Sequence, residues 1–161
     1  GALYYLAALL DAGEDPVFIA RRMVIFASED VGNSDPQALT LAVSAMHAAQ
    51  NLGMPEVRIN LGQAAIYLAS TTKSKASYLA LNKALEQVRN QSDLPMPSHL
   101  KNYPSKEEKE EGKSYLYPHD YPGHFVDQKY LTDNNLRFYE PTEEGIERKL
   151  KERLQKLWPH R

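Results

Sequence analysis

One stretch limits what this chain can fold into. Asp15 to Gly32 reads as a helix marked at both ends. Asp15 is placed to accept bonds from the first free backbone N–H groups. Pro16 fits the first helical position, which needs no N–H. Gly32 suits the left-handed residue just past the end. Between them, Val17, Phe18, Ile19, Met23, Val24, Ile25, Phe26 and Ala27 spread over nearly the whole circumference. A helix apolar almost all round is buried on most sides, so the other helices are expected to pack around this one. Its polar exceptions include Arg21, Arg22, Glu29 and Asp30, which must find partners or reach water. They read as a structural charge network tying helices together, in preference to a catalytic cluster.

The 161 residues suffice for one domain with a real core. A net charge of −2 argues against a domain built mainly to grip nucleic acid. With no cysteine, disulfides and thiolate chemistry are excluded, and a reducing, cytoplasmic setting is expected. No apolar run reaches the roughly 18 residues that a membrane span needs, so no membrane partner is expected. No signal peptide is visible. The chain opens Gly1-Ala2-Leu3-Tyr4-Tyr5, without Met and already in helical pattern. It therefore reads as a fragment of a longer protein, with Gly1 a candidate cloning scar.

Residues 1–92 read as helical hairpins with short Gly/Pro turns. Ala2 to Ala12 carries the stripe Leu3, Leu6, Leu10 and ends at Gly13. After the Asp15 helix, Ser34-Asp35-Pro36 repeats the start signal and opens a third helix to about Leu52. No residue from Pro36 to Pro55 is formally charged, and alanines abound, so this helix is either well buried or part of a subunit contact. Pro55 opens a fourth helix, with Val57, Leu61, Ala64, Ala65 and Leu68 at helical period. A fifth runs from about Lys75 to Gln91 with the stripe Tyr78, Leu81, Leu85 and Val88. The side-chain pattern does not repeat between units, which excludes a true solenoid.

Residues 93–141 differ in character. From Leu94 to Pro141 the chain holds six of its ten prolines and six of its ten tyrosines. Proline rules out long helix, leaving only a turn or two from Ser105 to Glu111. Disordered segments are poor in aromatics. The segment is therefore expected to be an ordered strap laying Tyr103, Tyr115, Tyr117, Tyr121, Phe125, Tyr130, Phe138 and Tyr139 onto the helices. Residues 142–158 form a terminal helix opened by Thr142, with the stripe Ile146, Leu150, Leu154, Leu157 and Trp158. Its capping box is incomplete, because the third position holds Gly145 instead of Glu. Acids gather early (Glu143, Glu144, Glu147) and bases late, which suits the helix dipole.

Chemistry-bearing motifs are few. Gly112-Lys113-Ser114 mimics the end of a phosphate-binding loop, but Glu107 stands where its first glycine belongs and three acids lie between. His119, Asp120, His124 and Asp127 are close enough in sequence to suggest a metal or an acid–base pair. They lack regular ligand spacing and an accompanying nucleophile, so they read as turn residues, and no catalytic or metal residue is assigned. Arg148, Lys149, Lys151, Arg153, Lys156 and Arg161 are candidate DNA-phosphate contacts. The interleaved Glu144, Glu147 and Glu152 favour a solvated face instead.

Several motifs together resemble the C-terminal region of the RarA/MgsA family. They are Leu3-Tyr4-Tyr5-Leu6, Gly13-Glu14-Asp15-Pro16, Ile19-Ala20-Arg21-Arg22, Ala27-Ser28-Glu29-Asp30-Val31-Gly32 and Asp35-Pro36-Gln37-Ala38. The strap adds Leu94-Pro95, Pro97, His99-Leu100, Tyr117-Pro118-His119-Asp120, Gly123, Gln128, Tyr130-Leu131 and Phe138-Tyr139 with Pro141. Departures are Thr132, where relatives carry proline, and the short Asp133-Asn134-Asn135 link. The family consists of AAA+ ATPases of replication-associated recombination, related to the Werner-helicase-interacting protein. The resemblance implies an all-α bundle of about six helices, like a clamp-loader collar, with the long strap across it. It implies that the ATPase core, with ATP and Mg, lies N-terminal to this region. No Walker motif or arginine finger can be placed here, so no cofactor and no catalysis are expected. It further implies assembly, into a tetramer, and a parent protein that meets DNA ends and junctions and single-strand binding protein. The expected subunit contacts are Leu39, Val43 and Met46 on the third helix and Ile146, Leu150, Leu154, Leu157 and Trp158 on the last. The rival reading is a DNA-fork or partner-binding module.

Overall fold

The computed structural model describes residues 1–103, 105–106, 115–133 and 135–159. Gly112-Lys113-Ser114, Arg161 and most of the turn expected from Ser105 to Glu111 lie outside the described residues. Among the described residues all regular structure is helical: α1 Ala2–Asp11, α2 Pro16–Phe26, α3 Gln37–Asn51, α4 Val57–Ser70, α5 Ala76–Arg89 and α6 Glu147–Leu157. The sequence reading as an all-α chain holds, but the last helix is corrected: it starts at Glu147 and not at Thr142, because Gly145 is left-handed at φ +52° and Thr142 bonds the Glu147 side chain instead of opening the helix. None of them is long and apolar enough to cross a membrane.

The start of α2 follows the sequence. Asp15 accepts from the backbone N–H of Val17 at 3.0 Å and of Phe18 at 3.2 Å, and Pro16 follows it. Its end does not. The α-helix stops at Phe26, Ala27–Val31 widen into a π turn, and Gly32–Ser34 tighten into a 3-10 turn. The reason is packing: the wide turn puts both Ala27 and Val31 into the core, where they meet Ala38, Ala42 and Leu68. Gly32 has φ +54°, and a Cβ there would lie 2.8 Å from the Ser74 carbonyl oxygen. That approach and that backbone conformation both favour glycine.

α2, α3 and α4 pack on one another, and α1 packs on α4. One core cluster joins Leu6, Ile19, Ala20, Ala49, Val57, Leu61 and Ala65. The four buried alanines of α3, Ala38, Ala42, Ala45 and Ala49, recur at helical period and face the core. The five α4 residues picked out by period are the buried ones. Burying Val57, Leu61 and Leu68 contributes about 1.5–3 kcal/mol each. The expectation of an α2 buried on most sides is corrected: Phe18 and Ile25 are exposed, because helices cover only one side of it.

Two further expectations fail. No residue of α5 is buried, so its stripe is not core. The strap is also less embedded than expected. Tyr103, Tyr115, Tyr117, Tyr121 and Tyr130 are exposed, and only Phe125, Phe138 and Tyr139 are half-buried. What orders the strap instead is Gln128. Its side chain accepts from the Leu116 N–H at 3.1 Å and donates to the Leu116 carbonyl at 2.8 Å. That clasp closes the loop from 116 to 128.

Candidate functional site

The most constrained point of the molecule is Glu147, which is fully buried at the first turn of α6. Its Oε2 accepts from Ser74 Oγ at 2.7 Å, from the Thr142 N–H at 2.9 Å and from Thr142 Oγ1 at 2.7 Å. Its Oε1 accepts from the Tyr139 hydroxyl at 3.0 Å. Asn33 Nδ2 donates in turn to that hydroxyl at 3.4 Å. Burial alone would raise the Glu147 carboxyl. The donors from Ser74, Thr142 and Tyr139 outweigh it and hold the group below the usual carboxylate range. One carboxylate thus joins the loop after α4, the end of the strap and the terminal helix. Beside it, Ile146 N–H donates to the Ser34 carbonyl at 2.9 Å.

A second acid serves the same junction. Asp35 accepts from Tyr67 Oη at 2.6 Å and from Thr71 Oγ1 at 2.5 Å, while its other oxygen accepts from the Gln37 N–H at 3.2 Å. Burial pushes its carboxyl up, and the hydroxyl and backbone donors more than offset that, leaving it lowered. Glu29 and Asp30 meet a cation, but it is Lys75, 3.0 Å from Asp30 and 4.0 Å from Glu29. Arg21 and Arg22 are exposed on α2 and make no ion pair with either acid. The charge network therefore differs from the one read off the sequence. The helix's π turn rotates Glu29 and Asp30 toward the start of α5, where Ser74 N–H bonds the Asp30 carbonyl at 2.8 Å.

The buried carboxylate is held by four protein donors, the Ser74, Thr142 and Tyr139 hydroxyls and the Thr142 N–H. In the strap, the rings of His119 and His124 lie 4.9 Å apart and Tyr117 covers His119. Among the described residues no group of three His, Cys, Asp or Glu is placed to hold a metal ion.

Residues 1–158 match the family described as "MgsA AAA+ ATPase C terminal". The chain belongs to this family. An uncharacterized protein of Thermotoga maritima is 46% identical, with 99% of this chain covered and 26% of that protein. Replication-associated recombination protein A of Coxiella burnetii is 42% identical over 96% of this chain and 36% of its own length. The ATPase WRNIP1 of Dictyostelium discoideum is 37% identical, with 85% and 16% covered. The chain thus spans little more than a third, or less, of the relatives it matches.

In this MgsA C-terminal chain the candidate contact residues fall into separate places. On α3, Met46 packs against the core and Val43 is half-buried, which leaves Leu39 as the exposed member. On α6, Ile146 and Leu154 are exposed, while Leu150, Leu157 and Trp158 are half-buried. Trp158 is edge-on to Phe125, their ring centres 4.9 Å apart. Of the basic residues, Lys151 pairs with Glu143. Lys149, Arg153 and Lys156 stand exposed at i, i+4 and i+7, along one face. Glu147, counted with the solvated acids in the sequence, is the buried hub. Its signal was weak: a threonine five residues earlier and a glycine where a helix should already run.

One bare apolar surface was not chosen from the sequence as an interface. Along α5, Tyr78, Leu81, Leu85 and Val88 are 41%, 60%, 41% and 48% exposed. They lie at i, i+3, i+7 and i+10, one side of the helix. Ala80, Ala84 and Gln87 on the other side are half-buried. There the strap crosses, leaving a groove of about 370 Å³ lined by Ala84 and Gln87 with Leu94, Leu131 and Phe138, and Val88 of the stripe stands at its edge.

Proposed function

We propose that this chain is a non-catalytic assembly domain of a cytoplasmic AAA+ ATPase acting in replication-associated recombination. It holds subunits together, as a tetramer, in the manner of a collar, so that neighbouring ATPase sites stay in register. ATP and Mg belong to the ATPase core of the parent protein, which alone performs hydrolysis. The single observation that carries the reading is the α5 stripe. Tyr78, Leu81 and Leu85 are left uncovered in line, with Val88 at the edge of the strap groove, on a helix whose start is pinned by Lys75 to Asp30. A contiguous apolar face of this kind marks an interaction surface. The family and the name of the Coxiella relative, replication-associated recombination protein A, supply the context.

The test is molar mass in solution, by light scattering over a range of concentrations, for the full-length protein and its Leu81→Glu/Leu85→Glu variant. Both positions are exposed, so the variant keeps its helicity. The expected result is a tetramer that falls to monomer in the variant. Unchanged mass would move the contact to Leu39 or to Ile146 and Leu154, and a monomeric wild type would remove the assembly reading.

A second reading has its own observation, the aligned Lys149, Arg153 and Lys156. Through this face the domain would track DNA phosphates, and single-strand binding protein would meet the parent elsewhere. Three phosphate contacts on single-stranded DNA give a slope of about −2 in log affinity against log salt. No binding at low salt would dispose of it.

A further inference from the structure

A different apolar face lies on α4 and α1. α4 carries its core residues on one side, yet its opposite side is apolar too. Ile59 and Ile66, seven residues apart with Gly62 between them, are 69% and 51% exposed. Leu3 of α1 sits against this side, with its Cδ2 3.9 Å from where a Gly62 Cβ would be. Tyr4 and Tyr5 follow Leu3, both largely exposed, with their rings edge-on 5.5 Å apart. The surroundings hold almost no charge: α1 has only Asp11 and α4 only Arg58. Depletion of charge with exposed aromatics is the composition of an interface centre.

What covers it follows from where the missing chain attaches. The family is the C-terminal part of an ATPase, and this chain covers 26% of the Thermotoga relative and 36% of the Coxiella one. On the reading of this chain as the C-terminal part of a longer ATPase, the polypeptide of the core enters ahead of the first turn of α1, beside this face. We propose that the face formed by Leu3 and Tyr4 of α1 with Ile59 and Ile66 of α4 seats the segment of the same polypeptide that immediately precedes Gly1. This rests on the reading of the chain as the C-terminal part of a longer ATPase, and it is separate from the subunit contact assigned to α5. The docking fixes the direction in which the ATPase core leaves the assembly domain. A tether alone would leave that direction free, because a flexible junction transmits no geometry.

Hydroxyl-radical footprinting of the full-length protein tests this with an internal reference. Leu94, away from this face in the strap groove, is 66% exposed, much as Ile59 is at 69%, and has similar intrinsic reactivity as an aliphatic side chain. Trypsin cuts after Arg58, Lys73, Lys75 and Lys83, so Ile59 and Ile66 are read apart from Tyr78 and Leu81. The expected result is labelling of Ile59 and Ile66 several-fold below Leu94, unchanged by dilution. Labelling equal to Leu94 overturns the proposal. Protection that fades on dilution also overturns it, because a second copy is then the occupant. The peptide holding Tyr78 and Leu81 reports the assembly reading separately, since its protection must fade as the oligomer dissociates. Ile59→Glu/Ile66→Glu in the full-length protein should raise labelling of Tyr4 several-fold while the oligomer mass stays the same. Unchanged Tyr4 labelling would contradict the shared face.

Discussion

Replacing Glu147 probes the junction most directly. Its carboxylate is fully buried and accepts four bonds, from Ser74, from Tyr139 and from two groups of Thr142. Glu147→Ala leaves those donors facing a space without an acceptor, at about 1–3 kcal/mol for each group left unsatisfied. Rotating hydroxyls and entering water recover part of this, so the expected loss is about 3–4 kcal/mol, within the range for removing one member of a buried charged set. At about 2–4 °C per kcal/mol for a chain of this size, the melting temperature should fall by about 6–16 °C. Glu147→Gln keeps the shape but loses the charge, which roughly halves the strength of each bond. It also forces Tyr139 to accept where it had donated. The expected loss is about 1–2 kcal/mol, in keeping with weakened rather than absent bonds. The pH dependence separates charge from packing. The folded carboxyl is held below its unfolded value of about 4.3. Its contribution is therefore present in full above about pH 4.3 and is lost as pH falls through the lower folded value. Circular dichroism melts from pH 7 to pH 3 should show that acid loss in the wild type and its reduction in Glu147→Gln. Equal acid dependence in both proteins, or an alanine variant melting within about 2 °C of wild type, would refute the assignment of Glu147 as the hub.

Other substitutions discriminate between parts of the fold. Gly145 has φ +52°, and a Cβ there would overlap the Ser34 carbonyl. Gly145→Ala should cost more than the ordinary penalty of about 1 kcal/mol for a left-handed position, and should raise hydrogen exchange in α6 before the rest of the molecule. Asp35→Asn weakens the bonds from Tyr67 and Thr71 and should lower stability by about 1–2 kcal/mol in urea melts. It should also bring the Tyr67 hydroxyl, now raised chiefly by its bond to Asp35, back toward an ordinary tyrosine in an absorbance titration. Leu61→Ala in the core should cost about 2–5 kcal/mol, whereas Leu81→Ala on the uncovered stripe should stay within about 0.5 kcal/mol in the monomer.

The helices were legible because their signals are local. Asp15-Pro16 states where α2 begins, and the period from Val57 to Leu68 states which side of α4 goes inward. The junction was not legible, because its logic is long-range. Ser74 and Glu147 are 73 residues apart, and neither residue type at its position announces a buried partner. Glu147 resembled any acid placed in a first turn to suit the dipole. Gly145 was the better clue: in a helix opened by Thr142 it would be a weak residue at a position that wants glutamate. The structure resolves this by starting α6 at Glu147, after a left-handed glycine, with the Thr142 hydroxyl and N–H capping the Glu147 side chain instead of a helix end. The π turn was hidden for a related reason. Its extra residue pays off only when α3 and α4 are present to receive both Ala27 and Val31.

Periodicity reports that a helix has an apolar side but is silent on what covers that side. The same kind of stripe is core in α4 and bare in α5. The difference lies in what else each helix must do. α4 is central, touched by α1, α2 and α3, so a surplus apolar side on it is a second face. α5 meets the body through the turns that follow α2, and the strap takes its other side. Its Tyr78 to Val88 stripe therefore has no place in the monomer. The two bare faces, one beside Gly1 and one on α5, are separate, as the proposed contacts with an ATPase core and with a neighbouring subunit would each require. The polar knot at Glu147 and Asp35 ties the loop after α4, the end of the strap and α6 to the α1–α4 body, so those segments hold one geometry relative to it.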